Sequence, residues 1–133
     1  MTSDQPNIDA RYRTMLTLWF AMMMSVVMWF IFIHFMATTN SPANPRLGFL
    51  LICLGLVPVS ASFLAKQILV GKAIEAQDTM KLQQAYVVAW ALCEAAGLLG
   101  LLAYFLAASP YYYVAFIIAG VGILVHFPQK RHL

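Results

Sequence analysis

From Ala85 to Ala107 the chain reads AYVVAWALCEAAGLLGLLAYFLA, an apolar stretch broken by one charged residue, Glu94. A helix rises ~1.5 Å per residue, so this stretch is long enough to cross the ~30 Å hydrocarbon core of a bilayer. The rest of the sequence leaves little room for another reading. Of 133 residues, 62% are hydrophobic and 10% are charged, whereas soluble domains carry about 25% charged residues. A chain with so little polar surface is expected in a membrane.

Three further apolar runs accompany this one. Residues 1–10 are polar and read as a tail, with Asp9 as a candidate N-cap. Residues 14–36 form the first run, behind Arg11 and Arg13. It is too long for the ~7–15-residue core of a signal peptide, and no small-residue cleavage site follows it. The segment ATTNSPANPR, 37–46, has loop composition. Residues 47–70 form the second run. Pro58 lies inside it, so a kink is expected, with Ser60 and Ser62 available to bond freed backbone groups. A polar connector, 71–81, precedes the third run, 82–108. Ser109-Pro110 then turns the chain into a fourth run, 111–127, and a basic tail follows at 128–133. The expected fold is all-α: one membrane domain of four transmembrane helices in an up-and-down bundle.

Basic residues set the expected orientation. Arg11 and Arg13 precede the first helix, Lys66, Lys72 and Lys81 flank the second connector, and Lys130 and Arg131 follow the fourth. The opposite side has only Arg46. Lys and Arg gather on the cytoplasmic side of membrane proteins. An even number of spans therefore places both termini in the cytoplasm.

The third helix also carries a seam of small side chains. Ala89, Cys93, Ala96, Gly100, Ala103 and Ala107 follow one another at alternating spacings of four and three, with Gly97 beside them. The fourth helix repeats the pattern in Ala115, Ala119 and Gly122. Small residues let helix backbones approach closely, and in lipid that contact drives association. The third and fourth helices are expected to pack seam to seam.

Glu94 adjoins this seam, about 18 Å from the cytoplasmic end by helical rise. Ser25, the 55–58 region and Gly120 fall at similar depth, while Lys66 falls near the cytoplasmic edge, too far along the normal to pair with it. A charged carboxylate at mid-bilayer costs at least ~2.5–3.5 kcal/mol. Glu94 must therefore be neutral, bind a cation, or be served by a partner subunit. One reading makes it a proton- or cation-binding site, since intramembrane acids mark such paths. The other makes it a structural hydrogen-bonding group within the bundle, with Ser25 or Ser60 as partner.

The residues around Glu94 resemble a known family. Tyr86 to Leu106 is similar to the carboxylate-bearing helix of the rotary ATPase proteolipid, subunit c, in Ala91, Leu92, Glu94, Ala95 and Gly100. GKAIEAQ, 71–77, looks like the end of that family's first helix and its cytoplasmic loop. The resemblance spans residues 71–106 and leaves two flanking helices outside it. It implies that Glu94 takes up and releases an ion within an oligomer.

Other chemistries find no support. His34 and His126 sit near opposite membrane faces, so they cannot share a haem iron. Met22, Met23 and Met24 are consecutive and point around their helix rather than toward one copper ion. Cys53 and Cys93 lack metal or redox spacing and are expected as buried thiols. No nucleotide-binding loop, nucleophile elbow or zinc-hydrolase motif occurs. The chain is expected to be no enzyme, with no cofactor, metal or nucleic acid. Its expected partners are the lipid bilayer and either further copies of itself or another membrane subunit.

Overall fold

The computed structural model describes residues 5–130 and consists of helices and short turns. The elements are α1 (Gln5–Phe35), α2 (Pro45–Leu54), α3 (Leu56–Glu75), α4 (Thr79–Ala107) and α5 (Tyr112–Val125). α2 and α3 form one rod, because Gly55 between them keeps right-handed helical angles. The result is a four-rod, all-α bundle. Three rods, 7–35, 45–75 and 79–107, are long and apolar enough to cross a membrane. Many large apolar side chains face outward, among them Phe20, Met28, Phe35 and Phe49. Those two observations suggest an integral membrane protein.

The rods alternate in direction. At one end the Tyr104 hydroxyl donates to the Ala37 carbonyl (2.9 Å), and the Asn44 amide donates to the Ala107 carbonyl (2.9 Å). The end of α1, the start of α2 and the end of α4 therefore meet there. At the other end Arg11 of α1 bonds Thr79 of α4, and Lys130 pairs with Asp9 at 2.5 Å. We call these the loop end and the terminal end. α4 touches every other helix. In its most apolar stretch 44% of residues are buried, against 11% in α1, so α4 is the axis of the bundle.

Local sequence explains where the helices start and stop, and it moves several expected boundaries. The tail reading of residues 1–10 needs correction: helix α1 already includes Gln5 to Ala10, and residues 1–4 lie outside the described part. Asp9 is inside α1, one turn from Arg13, and its ion pair with Lys130 takes the place of a cap. α2 starts two residues before the apolar run. Asn44 is its N-cap, accepting from the Leu47 amide at 3.1 Å, and Pro45 suits the first turn, where its missing N–H costs nothing.

The break in the second rod falls at Gly55, three residues before Pro58. A proline ring crowds the carbonyl four residues earlier and cannot donate to it, so the disturbance lands on Leu54. Ser62 turns its hydroxyl onto the Val59 carbonyl (2.5 Å), not onto the carbonyl that Pro58 frees.

α3 then continues past its apolar run to Glu75, and the expected long connector shrinks to Ala76–Asp78. Gln77 adopts a left-handed φ of 50°, and the Asp78 amide reaches back to the Ala73 carbonyl (3.0 Å). These bonds satisfy the last carbonyls of α3. Asp78 then caps α4, accepting from the Met80 and Lys81 amides at 2.9 and 3.2 Å. Those amides, that of Lys81 first, hold the Asp78 carboxyl below the usual range. α4 ends in the same way: Ala108 has φ 46°, and the Ser109 amide reaches the Ala103 carbonyl.

Residues 126–130 leave α5 toward α1, and residues 131–133 of the basic tail lie outside the described part.

Candidate functional site

Every small residue of the two seams is buried: Ala89, Cys93, Ala96, Gly97, Gly100, Ala103 and Ala107 on α4, and Ala115, Ala119 and Gly122 on α5. The faces meet closely, and at Gly100 and Gly122 they leave no room for a larger group. A Cβ added at Gly100 would lie 2.7 Å from the Ala115 Cβ and 2.9 Å from the Tyr112 carbonyl oxygen. One added at Gly122 would lie 2.8 Å from the Cys93 Sγ, and one at Gly97 would touch the Ala119 Cβ at 3.5 Å. The rod of α2 and α3 uses the same device. Gly55 sits against Ala96, and Gly48 against Ser109. The seam therefore serves two neighbours, because small residues on both flanks of α4 leave low ground for both.

Glu94 sits at the edge of this packing, half-buried between α4 and α1. The Ser25 hydroxyl of α1 donates to its Oε1 at 2.5 Å. Ser60, the other serine considered, is exposed. Around the carboxyl lies a narrow crevice lined by Val26, Trp29, Gly97, Leu98, Leu101 and Phe116, with no space that admits a water molecule. Among the described residues no ion pair reaches Glu94. The site is thus a single acid, one hydroxyl and an apolar wall.

Sequence reasoning missed a second polar cluster, nearer the terminal end. His126, 1% exposed, follows α5, and its Nε2 lies 2.8 Å from the Ser62 hydroxyl of α3. The Cys93 thiol of α4 donates to the same oxygen at 3.4 Å, and the Trp90 indole N–H donates to the His126 carbonyl at 2.9 Å. Three helices are tied at one point. Ser62 gives its proton to Val59, receives from Cys93 and shares its hydroxyl with the His126 ring nitrogen, so three groups converge on it. A serine so committed is a cross-tie rather than an activated nucleophile. The signal for it was the set of polar groups within apolar runs, but their meeting depended on helix rotation.

The remaining candidates are dispersed. His34 lies at the loop end, 3.2 Å from the Tyr112 hydroxyl, far from His126. Cys53 is exposed and Cys93 buried, which corrects the reading of both as buried thiols. Met22 and Met23 pack on the core, while Met24 and Met28 face outward.

No family model, curated protein or solved structure matches the chain. The likeness to the proteolipid helix rests on the residues quoted for it alone.

Proposed function

We propose that this chain is a small, non-enzymatic membrane subunit, an accessory or scaffold element of a larger membrane complex, in which Glu94 is a neutral hydrogen-bonding clasp between α1 and α4. The observation that carries this reading is the Ser25–Glu94 bond inside a crevice too tight for water. Charge on the acid costs at least ~2.5–3.5 kcal/mol at mid-bilayer, and one hydroxyl bond to a charged group returns only ~1.5–3 kcal/mol. A neutral carboxyl avoids that charge cost. In this reading both termini face the cytoplasm, supported by Arg11, Arg13, Lys72, Lys81 and Lys130 at the terminal end against Arg46 at the other. The outward apolar faces of α1 and α2 meet lipid, a second copy or a partner subunit.

A second reading keeps Glu94 as a proton- or cation-binding group of a proteolipid-like oligomer. It is favoured by the half-exposed position of an intramembrane acid without an ion pair among the described residues. Glu94→Gln separates the two. For the clasp, the variant assembles as the parent does, and reconstituted vesicles show the same proton flux. Loss of flux with assembly intact, together with carbodiimide modification of Glu94 in the folded protein, would overturn the clasp and establish the ion site.

A further inference from the structure

α4 carries a second seam, on the side that its neighbours leave bare. Gln84, Val88, Ala91, Ala95, Leu98 and Leu102 follow one another at spacings of four, three, four, three and four, the heptad rhythm of the inner seam. All are exposed except Ala95, which is half-buried. The rod of α2 and α3 and the helix α5 fill the inner seam, and α1 closes on the flank that bears Glu94. The outer face of the bundle's axis has no helix against it among the described residues. Heptad spacing suits a further helix crossing at about 20°, and the two alanines let its backbone come close at their level.

Ala91 and Ala95 flank the level of Glu94, and the hydrogen bonding of that acid is incomplete. The Ser25 hydroxyl serves Oε1, and among the described residues no group bonds Oε2. No buried side-chain oxygen or nitrogen among those residues lacks a partner, so Oε2 reaches the outside of the bundle. Leu98 of the bare face also lines the crevice around the carboxyl, so that face and the acid adjoin. A neutral carboxyl has one hydroxyl to donate and keeps acceptor capacity on its other oxygen. Hydrocarbon holds no water to take that bond, and leaving it unmade costs free energy. The partner that Oε2 needs comes from outside this chain.

We propose that a second copy of this chain supplies it. Two α4 helices pack side by side along their outer seams, and the two Glu94 carboxyls bond each other, each hydroxyl donating to the other's Oε1. The choice of occupant follows from chemistry and symmetry. A protonated carboxyl is its own complement, with one donor and one acceptor in a plane. A two-fold interface brings the same surface from both copies, and copies inserted in the same sense hold Glu94 at equal depth. Lipid tails offer neither donor nor acceptor. A partner with a lysine or arginine at this level would draw the acid into its charged form, against the neutral clasp. The inference rests on that reading of Glu94 and names the partner of the same site.

The test is disulfide trapping of the full chain in phosphatidylcholine vesicles, in a Cys53→Ser background that removes the exposed thiol and leaves Cys93 buried. Ala91→Cys and Leu98→Cys, on the outer seam, are expected to link two copies several-fold faster than Ile117→Cys, which is exposed on α5. Energy transfer between fluorescently labelled copies reads the association itself. Glu94→Ala should weaken it about tenfold, the worth of two interhelical hydrogen bonds, and Glu94→Gln, whose amide keeps a donor and an acceptor, should restore it. Ala91→Phe leaves Glu94 in place and, at an exposed site, perturbs no core, yet should block the approach. Equal linking at all three cysteine positions overturns the proposal. So does parental association in both Glu94→Ala and Ala91→Phe. The clasp has its own readout, the infrared carbonyl band of a protonated acid that Glu94→Gln removes. With that band present and no preferential linking, the dimer is refuted and the clasp stands. With the band absent, the neutral reading is refuted and the carboxyl pair with it.

Discussion

Gly100→Ala is the most direct probe of the α4–α5 seam, because it adds one methyl where the structure has no space. The new Cβ would stand 2.7 Å from the Ala115 Cβ and 2.9 Å from the Tyr112 carbonyl oxygen. Carbons rest at about 3.5–4.0 Å, so the helices must part by about 0.8 Å at this level. Neither obstacle is the end of a flexible side chain that could swing aside. A gap of ~0.5–1 Å forfeits a quarter to a half of each neighbouring dispersion contact. Overpacking of this kind costs about 1–3 kcal/mol. Against it stands a gain of about 1 kcal/mol in helix propensity from Gly to Ala. Gly120→Ala isolates that gain, since nothing lies within 4 Å of its Cβ position. Comparing the two variants cancels propensity and leaves the strain, so Gly120→Ala should exceed Gly100→Ala in stability by about 1–3 kcal/mol. Unfolding in mixed micelles by rising sodium dodecyl sulfate, followed by helical circular dichroism, measures the difference. Equal stability within about 0.5 kcal/mol would refute the argument that this contact is close-packed.

Three further outcomes follow from other contacts. Trp90→Phe keeps an aromatic side chain but loses the indole N–H and some buried volume, leaves the buried His126 carbonyl without its donor, and should cost at least about 1–3 kcal/mol in the same assay. Ala108→Gly relieves a left-handed φ of 46°, and should stabilise the protein by about 1 kcal/mol, read as a shift in the unfolding midpoint. Asp78 has its folded value lowered by the Lys81 amide first, so its capping contribution is present above the unfolded value of 3.8 and is lost as pH falls through the lower folded value. Circular dichroism across that acid range should show a loss in the parent that Asp78→Asn lacks.

The pattern of apolar runs was readable because a bilayer leaves the backbone no alternative to helix, and a span needs a minimum length. Helix ends were less readable. Apolarity marks where lipid ends, but hydrogen bonding marks where a helix ends, and α3 continues from Val70 to Glu75 on backbone bonds that do not depend on hydropathy. Asn44-Pro45 carried a cap-and-first-turn signal inside a segment whose composition read as a loop. For the candidate site, equal depth of Ser25 and Glu94 was legible from helical rise. Depth leaves rotation open, and Ser60, named beside Ser25 as a candidate partner, faces outward.

The sequence alone determined which segments are helical rods, how many there are, and that small residues line one side of α4. Those properties follow from local composition and a fixed rise per residue. Tertiary structure decided which faces meet: α4 as the shared axis, Ser25 on Glu94, and Ser62, Cys93 and His126 at one point. Each of these requires side chains from different rods to agree in azimuth as well as depth. Azimuth is set by how the rods pack against one another, through close approaches such as Gly100 on Ala115 and Gly55 on Ala96.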